Sequence, residues 1–269
     1  MAQYEDILVE KSDHICTITL NIPEKLNPVT FKTLYEIILA VEDAEADDDI
    51  RCLVFTGAGR GFSSGADLSL PESAEKYKDM LGARRMLEYP GSTLSLCIET
   101  IGKCRKPTIA AVNGVAVGAG FAILLACDVR IGGEKARFST IFTKRAMVVH
   151  AGMAYYLPRV VGTPKALELL WTDKFVDAQE ALSIGLLNRV APQDELMTAV
   201  REFAGQIAAG PTVTLELDKK LIYDGIETDD LRKVMQSEDW AGSIARNTED
   251  SKEGMKSFME RREPAFQGR

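Results

Sequence analysis

Residues 106–131 read KPTIAAVNGVAVGAGFAILLACDVRI. Thr108–Val112 is a short, continuously apolar run ended by Asn113-Gly114, the signature of a strand buried on both faces. Small residues then recur through Gly120, where the chain must bend sharply, and the apolar stretch Phe121–Cys127 reads as the helix that follows. Val129–Ile131 opens another buried strand. Strand, glycine-rich turn, helix and strand make a parallel α/β unit.

The same alternation extends upstream. Cys52–Thr56 (CLVFT) is a second buried strand, and it too runs into a glycine-rich turn, Gly57–Asp67 (GAGRGFSSGAD). His14–Leu20 (HICTITL) alternates like a half-buried strand after a short one at Ile7–Glu10. The chain then turns at Asn21–Pro28 into a helix over Thr30–Ala46, with Phe31, Leu34, Ile37, Ile38 and Val41 at helical spacing. Downstream of Asp177 strands become scarce. Ala178–Ile184, Glu195–Ala208, Thr212–Tyr223, Thr228–Trp240 and Lys252–Arg262 have helical character, so the C-terminal third is a helical appendage.

With 269 residues, 46% of them hydrophobic, the chain can bury a core without metals or disulfides. A net charge of -8 and scattered basic residues leave no footprint for nucleic acid or an anionic membrane. Five cysteines and two histidines form neither a C-x-x-C pair nor a metal-ligand cluster, and they read as reduced thiols with no metal site. No apolar run approaches the ~20 residues that span a bilayer, and the acidic N-terminus lacks a signal core, so a soluble cytoplasmic protein is expected.

The two glycine-rich turns carry the functional reading. Gly57-x-Gly59-x-Gly61 fails the three-glycine dinucleotide fingerprint, which disfavours a nicotinamide-dependent oxidoreductase. The second turn opens a helix, whose free N–H groups can face an oxygen that gains negative charge. Two such turns occur in an ordered set of motifs: IPEKLNP (22–28), FSSGADL (62–68), KPTIAAVNGVAVGAG (106–120), ACDVRI (126–131), LPRVVG (157–162), ALSIGLLNRV (181–190) and EGMKSFMERR (253–262). The set covers essentially the whole chain and resembles the successive signatures of the crotonase (enoyl-CoA hydratase/isomerase) superfamily.

The resemblance implies a spiral of ββα units over residues 1–200 and a C-terminal helical region, 201–269, that drives homotrimers or hexamers. It implies an acyl-CoA thioester as substrate, with coenzyme A present only as part of that substrate and no other cofactor. It assigns the oxyanion hole to the backbone N–H groups of Ser64 and Ala119, and CoA binding to Lys25, Leu26, Asn27, Ser64, Gly65, Ala66, Asp67, Leu68 and Ala119. A donor at such a site is worth roughly 3–4 kcal/mol where charge develops.

The chain departs from the hydratase pattern at two positions. Ala122 and Phe142 stand where the resemblance places the two carboxylates that move protons during hydration. His150 stands where isomerase-type relatives carry an acid, and an imidazole, with a reference pKa of about 6.5, can take and return a proton at neutral pH. His150 is therefore the candidate base, the alternatives being a cap for the next helix or a pocket filler. His14 reads as structural, Asp128 as a cap or turn residue, Tyr155 and Tyr156 as core, and Asp239-Trp240 as interface. Arg84, Arg85, Glu88, Tyr89, Thr140, Thr143, Lys144 and Arg145 are further polar candidates for the acyl pocket. The expected chemistry is an isomerase, hydrolase or lyase step, set against a degenerate protein that binds an acyl-CoA or acyl chain without turning it over. Loss of two carboxylates favours an apolar pocket for an aliphatic or aromatic acyl group.

Overall fold

A computed structural model of the chain describes residues 4–67 and 92–269. Among the described residues, ten strands form two sheets. Strands β1 (Ile7–Ser12), β2 (Ile15–Leu20), β3 (Cys52–Gly57), β5 (Thr108–Val112), β7 (Val129–Gly133) and β10 (Arg189–Ala191) lie side by side in that order. Within this sheet only the β1–β2 pair is antiparallel. The second sheet holds β4 (Gly61–Ser63), β6 (Val115–Val117), β8 (Arg137–Ser139) and β9 (Val176–Asp177). Each of β3, β5 and β7 passes directly into a three-residue strand of the second sheet, β4, β6 and β8 respectively. That repeated step is the spiral of ββα units.

The large sheet is buried on both faces, which explains its unbroken apolar runs. Along β3, Leu53 and Phe55 point into one core while Cys52 and Val54 point into another. Along β5, Ala110 and Val112 join the first and Ile109 and Ala111 the second. Helices α1 (Phe31–Ala46), α2 (Thr93–Lys103) and α3 (Ala119–Ala126) contribute to the first core. Helix α1 starts where a reciprocal cap allows, the Thr30 hydroxyl accepting from Thr33 N–H and the Thr33 hydroxyl from Thr30 N–H. The five cysteines are all buried and reduced, and burial pushes the Cys16 and Cys104 thiols up to about 11.

After β8 come α4 (Met153–Val161), α5 (Thr163–Thr172), α6 (Ala178–Ser183) and α7 (Leu196–Ala208). Helix α7 closes the second core with Val200, Ala204 and Ala208. A boundary at residue 200 therefore falls inside a helix that belongs to the body. The appendage is α8 (Thr212–Gly225), α9 (Leu231–Ala245) and α10 (Glu249–Glu260).

Asp128 ties α8 to the large sheet, which extends its expected role as a turn residue. One carboxylate oxygen accepts from Thr108 N–H (2.8 Å), the Thr108 hydroxyl (2.9 Å) and Lys219 Nζ (2.7 Å), and the other from the Tyr223 hydroxyl (2.9 Å). Burial, then the Asp128 charge, holds the Tyr223 phenol protonated. A hydrogen bond to a charged acceptor contributes about 1.5–3 kcal/mol. Tyr223→Phe is expected to lower the unfolding free energy by about that amount, read from urea midpoints. An unchanged midpoint would show that α8 does not depend on this contact.

Candidate active site

The turn after β3 is braced by two asparagine side chains. Asn27 is buried, and its amide donates to Ala58 O (2.9 Å) and Gly61 O (2.8 Å) while its oxygen accepts from Ile22 N–H (2.9 Å). Asn113 donates to Gly57 O (2.8 Å) and Gly59 O (3.0 Å). The Asn27 side chain is thus committed to shaping the loop and offers nothing to a ligand. Lys25 is exposed beside it, its carbonyl accepting from the Ser64 hydroxyl at 3.1 Å. The asparagines were a missed signal: each stands next to a turn, where an amide side chain can substitute for backbone partners.

The turn meets the N-terminus of α3 at very short range. Gly118 adopts φ 51°, ψ -119°, which only glycine takes without strain, and its N–H donates to Ser139 O at 3.3 Å. A Cβ at Gly120 would lie 2.4 Å from Ser63 Cβ. One at Gly65 (φ 90°) would lie 3.0 Å from Val117 O and 3.8 Å from Ala119 N. Helix α3 is buried along its whole length, and its first intrahelical bond runs from Ala122 N–H to Gly118 O at 3.0 Å. The Ala119 N–H has no intrahelical acceptor, and its nitrogen lies 3.8 Å from where a Cβ on Gly65 would stand.

Ser64 does not supply the second free donor. Its N–H already donates to Leu26 O at 2.8 Å. Val29 pairs with Ala66 as a parallel bridge, with Val29 N–H on Gly65 O (2.8 Å) and Asp67 N–H on Val29 O (3.0 Å). In that pattern the N–H of Ala66 itself points to the opposite side. Ala66 is exposed, so the free amide of this turn lies two residues beyond the expected one.

Ala122 and Phe142 are buried, 1% and 5% exposed, and neither side chain ionises. The Phe142 ring lies 4.6 Å from the His150 ring, which brings these two positions together. His150 is exposed, with Nδ1 3.0 Å from Val148 O. A carbonyl only accepts, so Nδ1 carries the proton and Nε2 of the neutral ring is left as the acceptor. The side chain does not cap α4; the His150 carbonyl accepts from Met153 N–H at 3.3 Å instead.

Asp173, fully buried, organises the loop that carries Phe142. Its carboxylate accepts from the Thr140 hydroxyl (2.8 Å), Phe142 N–H (3.0 Å) and Lys144 N–H (2.7 Å). The Thr140 and Thr143 hydroxyls are both taken up by hydrogen bonds within the protein, and Lys144 and Arg145 are exposed. Tyr155 and Tyr156 are half-buried rather than core. Leu68, Arg84, Arg85, Glu88 and Tyr89 lie outside the described residues. Among the described residues no cluster of three or more histidine, cysteine or carboxylate side chains is placed to hold a metal, and no helix is long and apolar enough to cross a membrane.

Paired strands spiralling around a buried helix, whose N-terminus meets a glycine turn, define an α/β protein of the crotonase type. The sequence profile described as enoyl-CoA hydratase/isomerase matches residues 10–269. A crotonyl-CoA hydratase from Syntrophomonas wolfei is 33% identical, the alignment covering 98% of each chain. A short-chain-enoyl-CoA hydratase from Clostridium acetobutylicum is 32% identical over 97% of each. The crystal structure of an enoyl-CoA hydratase from Bacillus anthracis superposes with a TM-score of 0.87 at 31% identity, covering 98% of this chain and 100% of that one. The chain belongs to the enoyl-CoA hydratase/isomerase family of acyl-CoA enzymes.

Two glycines make opposite expectations measurable. Gly65→Ala forces a side chain into positive φ against Val117 O and should cost about 1–3 kcal/mol. Gly205→Ala, in α7 with nothing within 4 Å of the new Cβ, should gain about 0.5–1 kcal/mol. Equal effects in denaturant titrations would show that the turn at Gly65 is not tightly held.

Proposed function

We propose that this enzyme polarises an acyl-CoA thioester between the backbone N–H groups of Ala66 and Ala119 and moves a proton at the neighbouring carbon with His150. The observation that carries the reading is the pairing of an unused amide in the Gly65 turn with the unused first-turn amide of α3, across a gap that only glycine permits. Two backbone donors and a helix dipole stabilise an enolate oxygen without any particular side chain. The CoA portion runs along Lys25, Leu26 and the 64–67 turn, held mainly by main-chain groups. His150, with Nε2 free as a base, is suited to an isomerase, hydrolase or lyase step. Ala122 and Phe142 offer no proton for water addition, although the cited relatives carry hydratase names.

Hydrogen–deuterium exchange next to the thioester, followed across an acyl-CoA panel, tests the reading. Exchange should exceed background and fall roughly 10²–10⁴-fold in His150→Ala. Exchange untouched by that substitution removes His150 from the mechanism, and no exchange with any acyl-CoA favours a protein that binds without turnover. Rapid hydration of crotonyl-CoA would overturn the assignment against water addition.

The same reading includes a homotrimer or hexamer. Leu231 and Met235 on α9, with Met255, Phe258 and Met259 on α10, expose large apolar side chains that a neighbouring subunit would cover. Sedimentation should give a trimer or its double, and a monomer at micromolar concentration would refute it.

A further inference from the structure

Asp173 follows α5 in the left-handed conformation (φ 48°, ψ 30°), a place that glycine takes at no steric cost. The residue there is an aspartate, and it is fully buried. Its contacts converge on one segment, residues 139–144. The Thr140 hydroxyl (2.8 Å) and Phe142 N–H (3.0 Å) donate to one carboxylate oxygen, and Lys144 N–H (2.7 Å) donates to the other. The Ser139 hydroxyl donates to the Asp173 carbonyl at 3.0 Å.

That segment has a backbone its own residues do not favour. Ile141 has φ 52° and Ala146 φ 51°, and a β-branched residue at positive φ persists only where its surroundings enforce it. The segment touches both halves of the proposed site. On one side Ser139 O accepts from Gly118 N–H at 3.3 Å, and a Cβ on Gly118 would meet Ile141 Cγ1 and Cδ1 at 3.4 Å, one residue ahead of the Ala119 amide. On the other the Phe142 ring lies 4.6 Å from the His150 ring. Met147 N–H donates back to Phe142 O at 3.1 Å, so the turn that leads to His150 starts from the same residue.

We propose that Asp173 is the positioning residue of this site: by fixing residues 139–144 it sets the place of His150 relative to the Ala119 amide. A base and an oxyanion donor act together only when both are held within about 0.5 Å of the productive geometry. A carboxylate with no exposed surface does not itself meet the substrate, so its part is played through Ile141 and Phe142. The inference rests on the acyl-CoA reading above and deepens it.

Two variants of the full chain test it. Asp173→Gly removes the carboxylate and suits the left-handed backbone, while Asp173→Asn keeps the shape but sets an amide N–H group against one of the donors. The chain has only two histidines, so His14→Gln assigns the His150 ring signal in the NMR spectrum of isotope-labelled enzyme. In Asp173→Gly, and to a lesser degree in Asp173→Asn, that signal should move toward its place in Phe142→Leu, where the ring current is lost. Melting curves report that the variants fold. Hydrogen–deuterium exchange next to the thioester should fall about 10²-fold in Asp173→Gly at saturating acyl-CoA, with the half-saturating concentration changed by less than about twofold. A His150 signal unmoved in both variants overturns the inference, as does exchange that keeps its wild-type rate or is lost only through weaker binding. Wild-type enzyme that catalyses no exchange overturns the acyl-CoA reading, and the His150 signal then decides alone whether Asp173 fixes that ring.

Discussion

The buried N-terminus of α3 is the constraint on which the molecule depends. A helix start leaves N–H groups without intrahelical acceptors, and burying such groups unpaired costs free energy comparable to lost hydrogen bonds. Here the start is enclosed by the Gly65 turn on one side and by Ser63 on the other. Gly120 and Gly65 are required because a Cβ at either would press into the facing segment, and Gly118 because its φ of 51° and ψ of -119° suit only glycine. The geometry that leaves the amides unsatisfied is the geometry that the proposed mechanism uses, with a thioester oxygen as their acceptor.

Polar side chains shape the loops near that gap. Asn27 and Asn113 fasten the 57–61 turn from opposite sides, and Asp173 gathers three donors to shape the loop that places Phe142 against His150. Glu36 does the same for the N-terminal strand, accepting from Glu5, Asp6 and Ile7 N–H groups. Neither Asp173 nor Glu36 has a cationic partner among the described ion pairs; main-chain N–H groups bear most of the stabilisation of each charge. Such groups specify loop shape more than they add stability, since each removes a donor from water for every bond it makes. The large sheet, by contrast, is stabilised by apolar burial on both faces.

The C-terminal helices are joined to this body by few but well-placed contacts. Asp128, Lys219 and Tyr223 anchor α8 at the N-terminal ends of β5 and β7, and α9 and α10 follow with apolar side chains uncovered. Because α8 stands off from α2 and α4 instead of packing flush against them, a cavity remains beside the loop that carries His150. The appendage therefore contributes to the wall of that cavity as well as to the outer surface.

Much of this architecture was legible in the residues themselves. CLVFT and TIAAV announced strands because both of their faces are buried, α1 because its apolar residues recur at helical spacing, and the family because its motifs occur in order. The second sheet left no such mark: GFS, VAV and RFS are three-residue strands, too short for any periodicity to emerge. The body was also read as ending near residue 200, although α7 runs through that point and closes a core. The choice of Ala66 over Ser64 as the free amide depends on where Leu26 O and Val29 lie. The sequence by itself determined the family, the longer buried strands and the two glycine-rich turns, since these follow from local chemistry and its repetition. Which donors remain unpaired only the tertiary structure decided, because a hydrogen bond is used or free according to a partner that arrives from a distant part of the chain.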